Sequence, residues 1–223
     1  MHGRWMLKNT FINDPFNLSV SDDLKRSNRT INCQNKLNKM RKLIAAINMT
    51  LDGFCNHEAM TADDEVHEHY NDLLRQADTL IYGKKTYQLM ESYWPLIVKE
   101  PTGNKPTDEF AVLIDDLAKI VYSHTLEGVV WNNSTLKREV IPEEILELKR
   151  QEGKNILVGS PSMIAAFTQL GLIDEYQLCI QPILLGSGLT LFKNIGDRVN
   201  LSLLKTKTFQ CGAVVHYYAT AKK

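Results

Sequence analysis

A chain of 223 residues, 43% apolar and 23% charged, is long enough to bury one large core or two small ones. Its 26 basic and 26 acidic residues cancel, so no overall field draws it to nucleic acid or to an anionic membrane. No apolar run reaches membrane-spanning length, and the first residues lack the apolar centre of a secretory signal. Cys33, Cys55, Cys179 and Cys211 form neither a close pair nor a metal ladder, which points to a reduced, cytoplasmic setting with no metal site.

Residues 1–39 are polar, Asn-rich and aperiodic, and they offer too little apolar area to offset the entropy of ordering. They read as a poorly ordered extension, and the folded domain is expected over 40–223. Strong patterning starts at Met40. Leu43–Ile47 has strand length. Thr61 is placed to cap a helix with Asp63, Asp64 and Glu65 in its first turn, and Val66, Tyr70, Leu73, Leu74 and Ala77 recur at helical spacing. Thr79–Gly83 is a second strand, followed by a short helix over Lys85–Met90. The stretch 99–109 reads as a loop. Lys119–Ser123 is a third strand and Val129–Trp131 a fourth.

Pro142 suits the first turn of a helix that Gly153 closes. Asn155–Gly159 is a strand, and Ser162–Leu170 a helix stopped at Gly171. A strand opens at Glu175, where Pro182 argues for an edge or a bulge. Ala213–Thr220 alternates as a late strand. The strand–helix rhythm predicts an α/β fold, a sheet with helices on its faces.

In such sheets ligands gather where strand ends feed helix N-termini. Five junctions carry suitable residues, each with a plain structural alternative. Gly159, Ser160 and Pro161 start a helix whose next N–H groups, on Ser162 and Met163, can hold phosphate oxygens; Ser–Pro is also a good helix start in any protein. Lys84, Lys85 and Thr86 follow Gly83 and offer charge and a hydroxyl, or are a solvated turn. Ser123 and His124 end a strand. Gly186 and Gly188 permit close backbone approach, or shape a wide turn. Asp52, in "MTLDGF", serves an Asx-turn or presents a carboxylate to a cleft. Asp174 and Glu175 can accept a proton, or bridge a loop. His67 and His69, two apart, face nearly opposite ways on a helix and make a poor metal pair.

Taken in order, "MTLDGF", "YGKKTY", "YWP", "KIVYSHTL", "NILVGS", "GLIDEY" and "QPILLGSGLTLF" resemble the dihydrofolate reductase superfamily. The branch resembled is that of the reductase domain of the bifunctional riboflavin-biosynthesis deaminase/reductase. The resemblance runs from Met40 to the C-terminus. It implies a three-layer fold with a mixed, mostly parallel sheet of about eight strands. It also implies NADPH as cofactor, a hydride delivered to a C=N or C=O bond of a small pterin- or pyrimidine-like substrate, and a homodimer. By position it puts Lys84, Lys85 and Thr86 at the cofactor phosphates. Ser123 and His124 fall near the adenosine 2′-phosphate, and Gly159, Ser160, Ser162 and Met163 at the pyrophosphate. Gly186 and Gly188 fall in a late loop by the cleft. Asn48 and Asp52 fall near nicotinamide and substrate, with Asp52 as the catalytic candidate.

Two departures stand out. The family usually has Gly–Gly at Gly159–Ser160, which is costly for a serine if the backbone there is unusual. The deaminase half is absent, with no H-x-E and C-x-x-C set. The rival readings are a cofactor-binding protein without turnover and an interaction protein with an empty cleft.

Overall fold

The computed structural model describes residues 40–57, 63–193 and 195–221. The fold below is that of the unit Arg41–Lys223. The expected extension over 1–39 and the expected cap at Thr61 lie outside the described residues.

Among the described residues fourteen elements follow one another, and most begin or end where the chemistry of the chain dictates. Strand β1 spans Leu43–Thr50. Helix α1, Asp64–Arg75, is capped by Asp63, whose carboxylate accepts the Val66 N–H. Then come β2 (Ala77–Gly83), α2 (Lys84–Glu91), α3 (Trp94–Lys99) and α4 (Lys105–Asp116). Strands β3 (Ala118–Tyr122) and β4 (Ser134–Lys137) precede α5 (Pro142–Arg150). Strand β5 (Asn155–Val158) feeds α6 (Pro161–Gln169). The chain ends with β6 (Glu175–Gln181), β7 (Leu201–Thr208) and β8 (Val214–Thr220).

The eight strands form one sheet in the order β4-β3-β2-β5-β1-β6-β8-β7. Every pairing from β4 to β6 is parallel, and β8 runs antiparallel to both its neighbours. This is the expected mixed, mostly parallel α/β sheet with helices on both faces. Side chains of β1 alternate between two cores. Leu43, Ala45 and Ile47 join Ile145 of α5 with Ile164 and Phe167 of α6 on one face. Ile44 and Ala46 join Leu73, Leu74, Tyr87 and Ile114 on the other.

Several expectations are corrected. Val129–Trp131 is not a strand: the N–H groups of Val130 and Trp131 donate to the Tyr87 hydroxyl at 3.1 and 3.0 Å, and the fourth strand is Ser134–Lys137. The stretch 99–109 already holds the start of α4, because the Asn104 side chain accepts the Thr107 N–H and Pro106 sits in the first turn. Pro182 marks no edge. It lies one residue beyond β6, which is interior, so the ladder loses nothing. The edge on that side of the sheet is β7, exposed along its whole length, whose mix of leucine, serine, lysine and threonine carries no burial pattern. Trp94 is core, packed on Phe110 at 4.4 Å between ring centroids.

Lys119 shows how a fully buried charge is accommodated. Its ammonium donates to the carbonyls of Asp115, Leu117 and Asn132 at 2.8 to 3.0 Å and lies 4.5 Å from the Trp131 ring centroid. Asp115 and Leu117 close α4, so the lysine satisfies carbonyls at the negative end of that helix.

His69, on α1, is 5% exposed among the rings of Tyr70, Phe209 and Tyr217. Burial, and then the charge of Lys207, push its pKa from 6.5 down to about 4. Between those two values the unfolded chain carries the extra proton, so acid favours unfolding there. Urea unfolding should therefore show stability intact above pH 6.5 and falling towards pH 4 by up to about 3 kcal/mol. His69→Gln should flatten that window; an unchanged pH profile in the variant would contradict this.

Candidate active site at the carboxyl edge of the sheet

Because β1, β2, β3, β5 and β6 are parallel, their C-terminal ends share one edge. Reading across it, the chain leaves the sheet at Ser123 (after β3), Gly83, Gly159, Thr50 and Gln181. The five sequence junctions thus fall on one edge.

At its centre, α2 and α6 begin side by side. The Ser160 hydroxyl, 1% exposed, accepts the Gly83 N–H at 2.9 Å. A Cβ on Gly83 would sit 2.9 Å from the Ser162 hydroxyl oxygen and 3.6 Å from Met163 Cγ, so glycine is what lets the two helix ends approach. Ser160 has φ −93° and ψ 123°, ordinary extended backbone, so the serine carries no strain where the resembled family prefers glycine. Its hydroxyl does not cap α6. It spans the two junctions instead.

Neither α2 nor α6 has a side-chain cap or an acidic residue in its first turn, whereas α1 is capped by Asp63 and carries Asp64 and Glu65. The α6 ladder starts with the Ile164 N–H on the Ser160 carbonyl, which leaves the N–H groups of Ser162 and Met163 ahead of it. The Met163 side chain itself is core, and Ser162 is exposed. Gly159 has no close neighbour that demands glycine: a Cβ there would meet the Ala46 carbonyl at 3.4 Å.

Towards β3, the Lys84 ammonium donates to the Thr125 hydroxyl at 2.9 Å. The Ser123 hydroxyl accepts the N–H groups of Thr125 and Leu126 and so staples its own turn. His124 and Lys85 are exposed, and Thr86 is half-buried. Arg138 donates to the Ser123 carbonyl at 3.2 Å and also to the Leu126 carbonyl. It brings a guanidinium to this corner that no sequence signal indicated.

On the other side of the edge, Asp52 is a tie between loops. Its Oδ1 accepts the Thr50 hydroxyl at 2.5 Å, and its Oδ2 accepts the N–H groups of Leu185 and Gly186 at 2.9 and 2.7 Å. The Thr50 hydroxyl, then the Gly186 and Leu185 amides, hold this carboxyl below its ordinary pKa. Gly188 has φ +157°, and a Cβ on it would lie 2.2 Å from Asn56 Oδ1, which accepts the Leu189 N–H. Gly186 and Gly188 thus let the 183–190 loop lie against the end of β1. Asn48 accepts from Nε2 of the buried Gln181 at 3.2 Å. Leu51 and Leu184, 66% and 73% exposed, form an apolar lip beside Asp52. Thr50 and Gln181 were missed in the sequence; the T-x-D spacing of Thr50 and Asp52 was the available signal for the first.

Asp174 and Glu175 lie at the opposite edge. Asp174 accepts the Leu43 N–H at 2.8 Å and pairs with Lys149 at 2.7 Å, which is the loop-bridging alternative. None of the described helices is long and apolar enough to cross a membrane.

This sheet order and site place the protein among the dihydrofolate-reductase-like folds. It superposes on a dihydrofolate reductase from Enterococcus faecalis with a TM-score of 0.55 at 13% identity, covering 81% of this chain and 97% of the other. A structure of a putative riboflavin biosynthesis protein from Shewanella sp. PV-4 gives 0.64 at 19% identity, over 81% and 99% of the two chains. Residues 41–215 match the RibD C-terminal domain, and the chain belongs to that family. An uncharacterized Bacillus subtilis protein, YyaP, is 35% identical over 184 residues, which covers 81% of this chain and 95% of its own.

The Ser160–Gly83 bond makes a direct prediction. Ser160→Ala leaves a buried N–H unpaired and should lower the unfolding free energy by about 1–3 kcal/mol. Urea unfolding measures it; an unchanged midpoint would show that the bond contributes nothing.

Proposed function

We propose that the protein is an NADPH-dependent reductase acting on a small, planar heteroaromatic substrate of pterin or pyrimidine type. One observation carries the reading: α2 and α6 start side by side at the centre of the carboxyl edge, without side-chain caps and without acidic residues in their first turns. Two aligned helix dipoles with free N–H groups suit a pyrophosphate. Membership of the RibD C-terminal family supports it, as does the fold shared with an enterococcal dihydrofolate reductase solved with NADP(H).

The residues present fit such a cofactor. Ser162 and Met163 offer backbone donors, Gly159 a bare surface, and Lys84, Lys85 and Thr86 charge and a hydroxyl. His124, on the turn stapled by Ser123 and braced by Arg138, is placed for a 2′-phosphate. The cofactor supplies the hydride. Asn48 and the buried Gln181, bonded to each other, lie near the ends of β1 and β6, and Leu51 and Leu184 offer apolar surface for a flat ring. Asp52 is a positioning residue: held ionised by three hydrogen bonds, it fixes the 183–190 loop and stabilises positive charge developing on a substrate. The proton then comes from water.

NADPH fluorescence titration tests this. The wild type should bind, and Gly159→Ala should bind about tenfold more weakly with its melting temperature unchanged. Asp52→Asn should keep NADPH affinity within about twofold yet lose most substrate-dependent NADPH consumption over a pterin and pyrimidine panel. No binding at millimolar NADPH would overturn the nucleotide reading.

We also propose that a second copy covers the bare β7 edge, where Leu203 and Leu204 are 57% and 53% exposed. Light scattering should give twice the chain mass, and Leu203→Lys should shift it towards the monomer; a wild-type monomer at high concentration would refute the pairing.

A further inference from the structure

Strand β3 lies between β2 and β4, so the turn that leaves it, 123–126, is flanked by the ends of both neighbours. The turn is folded on itself: the Ser123 hydroxyl accepts the N–H groups of Thr125 and Leu126 at 3.2 and 3.0 Å. Two cations anchor on it from opposite sides. Lys84, the first residue after β2, donates to the Thr125 hydroxyl at 2.9 Å. Arg138, the first residue after β4, donates through Nη1 to the carbonyl of Ser123 at 3.2 Å and to that of Leu126.

The kind of partner sets Arg138 apart. Arg41 pairs with Asp78, Arg75 with Glu68, Asp72 and Glu109, and Arg150 with Glu147. Arg138 and Lys84 have no carboxylate partner among the described residues. Glu144 of α5 is taken by the preceding residue, Lys137. Glu127 and Glu139, the carboxylates nearest in sequence, are exposed and pair with neither cation. Carbonyl oxygens hold a guanidinium in place yet leave its charge uncompensated. Both bonds of Arg138 use the same nitrogen, so the N–H groups of Nε and Nη2 have no acceptor among the described residues.

A guanidinium fixed at one end presents a rigid fork with the other, and that fork suits two oxygens of a phosphate. Because the side chain is already held, an arriving anion costs it little further freedom. The corner also stands in a useful place. The paired ends of α2 and α6 follow β2 and β5, whereas β3 and β4 lie one and two strand spacings outward from β2, roughly 5 and 10 Å. A nucleotide with its pyrophosphate on the helix pair can reach this corner with its adenosine ribose.

We propose that Arg138 is the residue that sets the choice of cofactor. With Lys84 it grips the 2′-phosphate monoester of NADPH, whereas NADH, which lacks that group, leaves both cations unmatched. The inference rests on the nucleotide reading of the cleft and adds to it the side chain, on β4, that enforces the choice.

Calorimetric titration of the full chain with NADPH, NADH, adenosine 2′,5′-bisphosphate and 5′-AMP tests it. NADPH should bind the wild type about a hundredfold more tightly than NADH, and the bisphosphate more tightly than 5′-AMP. Arg138→Gln should weaken NADPH and the bisphosphate about tenfold or more, with NADH kept within about twofold. The unchanged NADH affinity separates a direct phosphate contact from mere bracing of the turn, since a slackened turn would weaken both cofactors. Lys84→Gln should shift the ratio in the same direction. The proposal is overturned if the wild type binds NADPH and NADH equally, if Arg138→Gln weakens both alike, or if it leaves NADPH binding unchanged. Each of those results keeps the nucleotide reading, whereas no binding of either cofactor at millimolar concentration overturns both.

Discussion

Strand β5 lies between β1 and β2, with Ile156 beside Leu43 on one side and Thr79 on the other. Two crossovers that are far apart in sequence therefore emerge next to each other, and the helices they feed begin within one hydrogen bond's reach. The Ser160 hydroxyl on the Gly83 N–H is that bond. It does more than satisfy a buried donor. It fixes the offset between two helix ends, so their free N–H groups act together rather than as two separate weak dipoles. A glycine in place of Ser160 would leave this spacing to packing alone, whereas the need for glycine at 83 would remain, because a Cβ there meets Ser162 and Met163.

The two edges of the sheet handle charge differently. Where the strands begin, charges are neutralised within the protein: Arg41 with Asp78, Lys149 with Asp174, Lys42 with Glu175. Arg41 and Lys149 are nearly fully buried, so leaving either unpaired would be costly. Where the strands end, the helix dipoles of α2 and α6 meet no internal anion, and Lys84 is engaged with a hydroxyl rather than a carboxylate. A positive field left open at one edge and closed at the other is the electrostatic basis on which the proposed cofactor reading rests.

Much of this was legible in the chain. Alternation and strand length marked β1, β2, β5 and β8, and their junction residues marked the edge. What escaped had physical reasons. The start of α4 was hidden inside a polar stretch because a helix cap and a loop use the same residues, here Thr102, Gly103 and Asn104. Strand β7 was invisible because a strand exposed on both faces has no period to read. Trp131 looked like strand core, but its burial comes from Tyr87 and Lys119 across a loop. The role of Ser160 could not be read at all: its partner is 77 residues away, and the cap reading was the natural local one.

Asp52 shows how far position and chemistry can diverge. The sequence offered an Asx-turn or a carboxylate aimed at a cleft, and in the structure Asp52 follows β1 at the carboxyl edge with its oxygens accepting from Thr50, Leu185 and Gly186. A group so engaged resists protonation, because protonating it would forfeit acceptor strength in three bonds at once. In the proposed reaction it acts at a distance, as a fixed negative charge that favours cationic character in a ring bound beside it. The same bonds couple the loop to the strand: any displacement of the 183–190 segment moves Asp52, Gly186 supplies the positive φ of its turn, and Gly188 lets it approach Asn56 closely. Charge placement and loop closure in this cleft are therefore one structural variable.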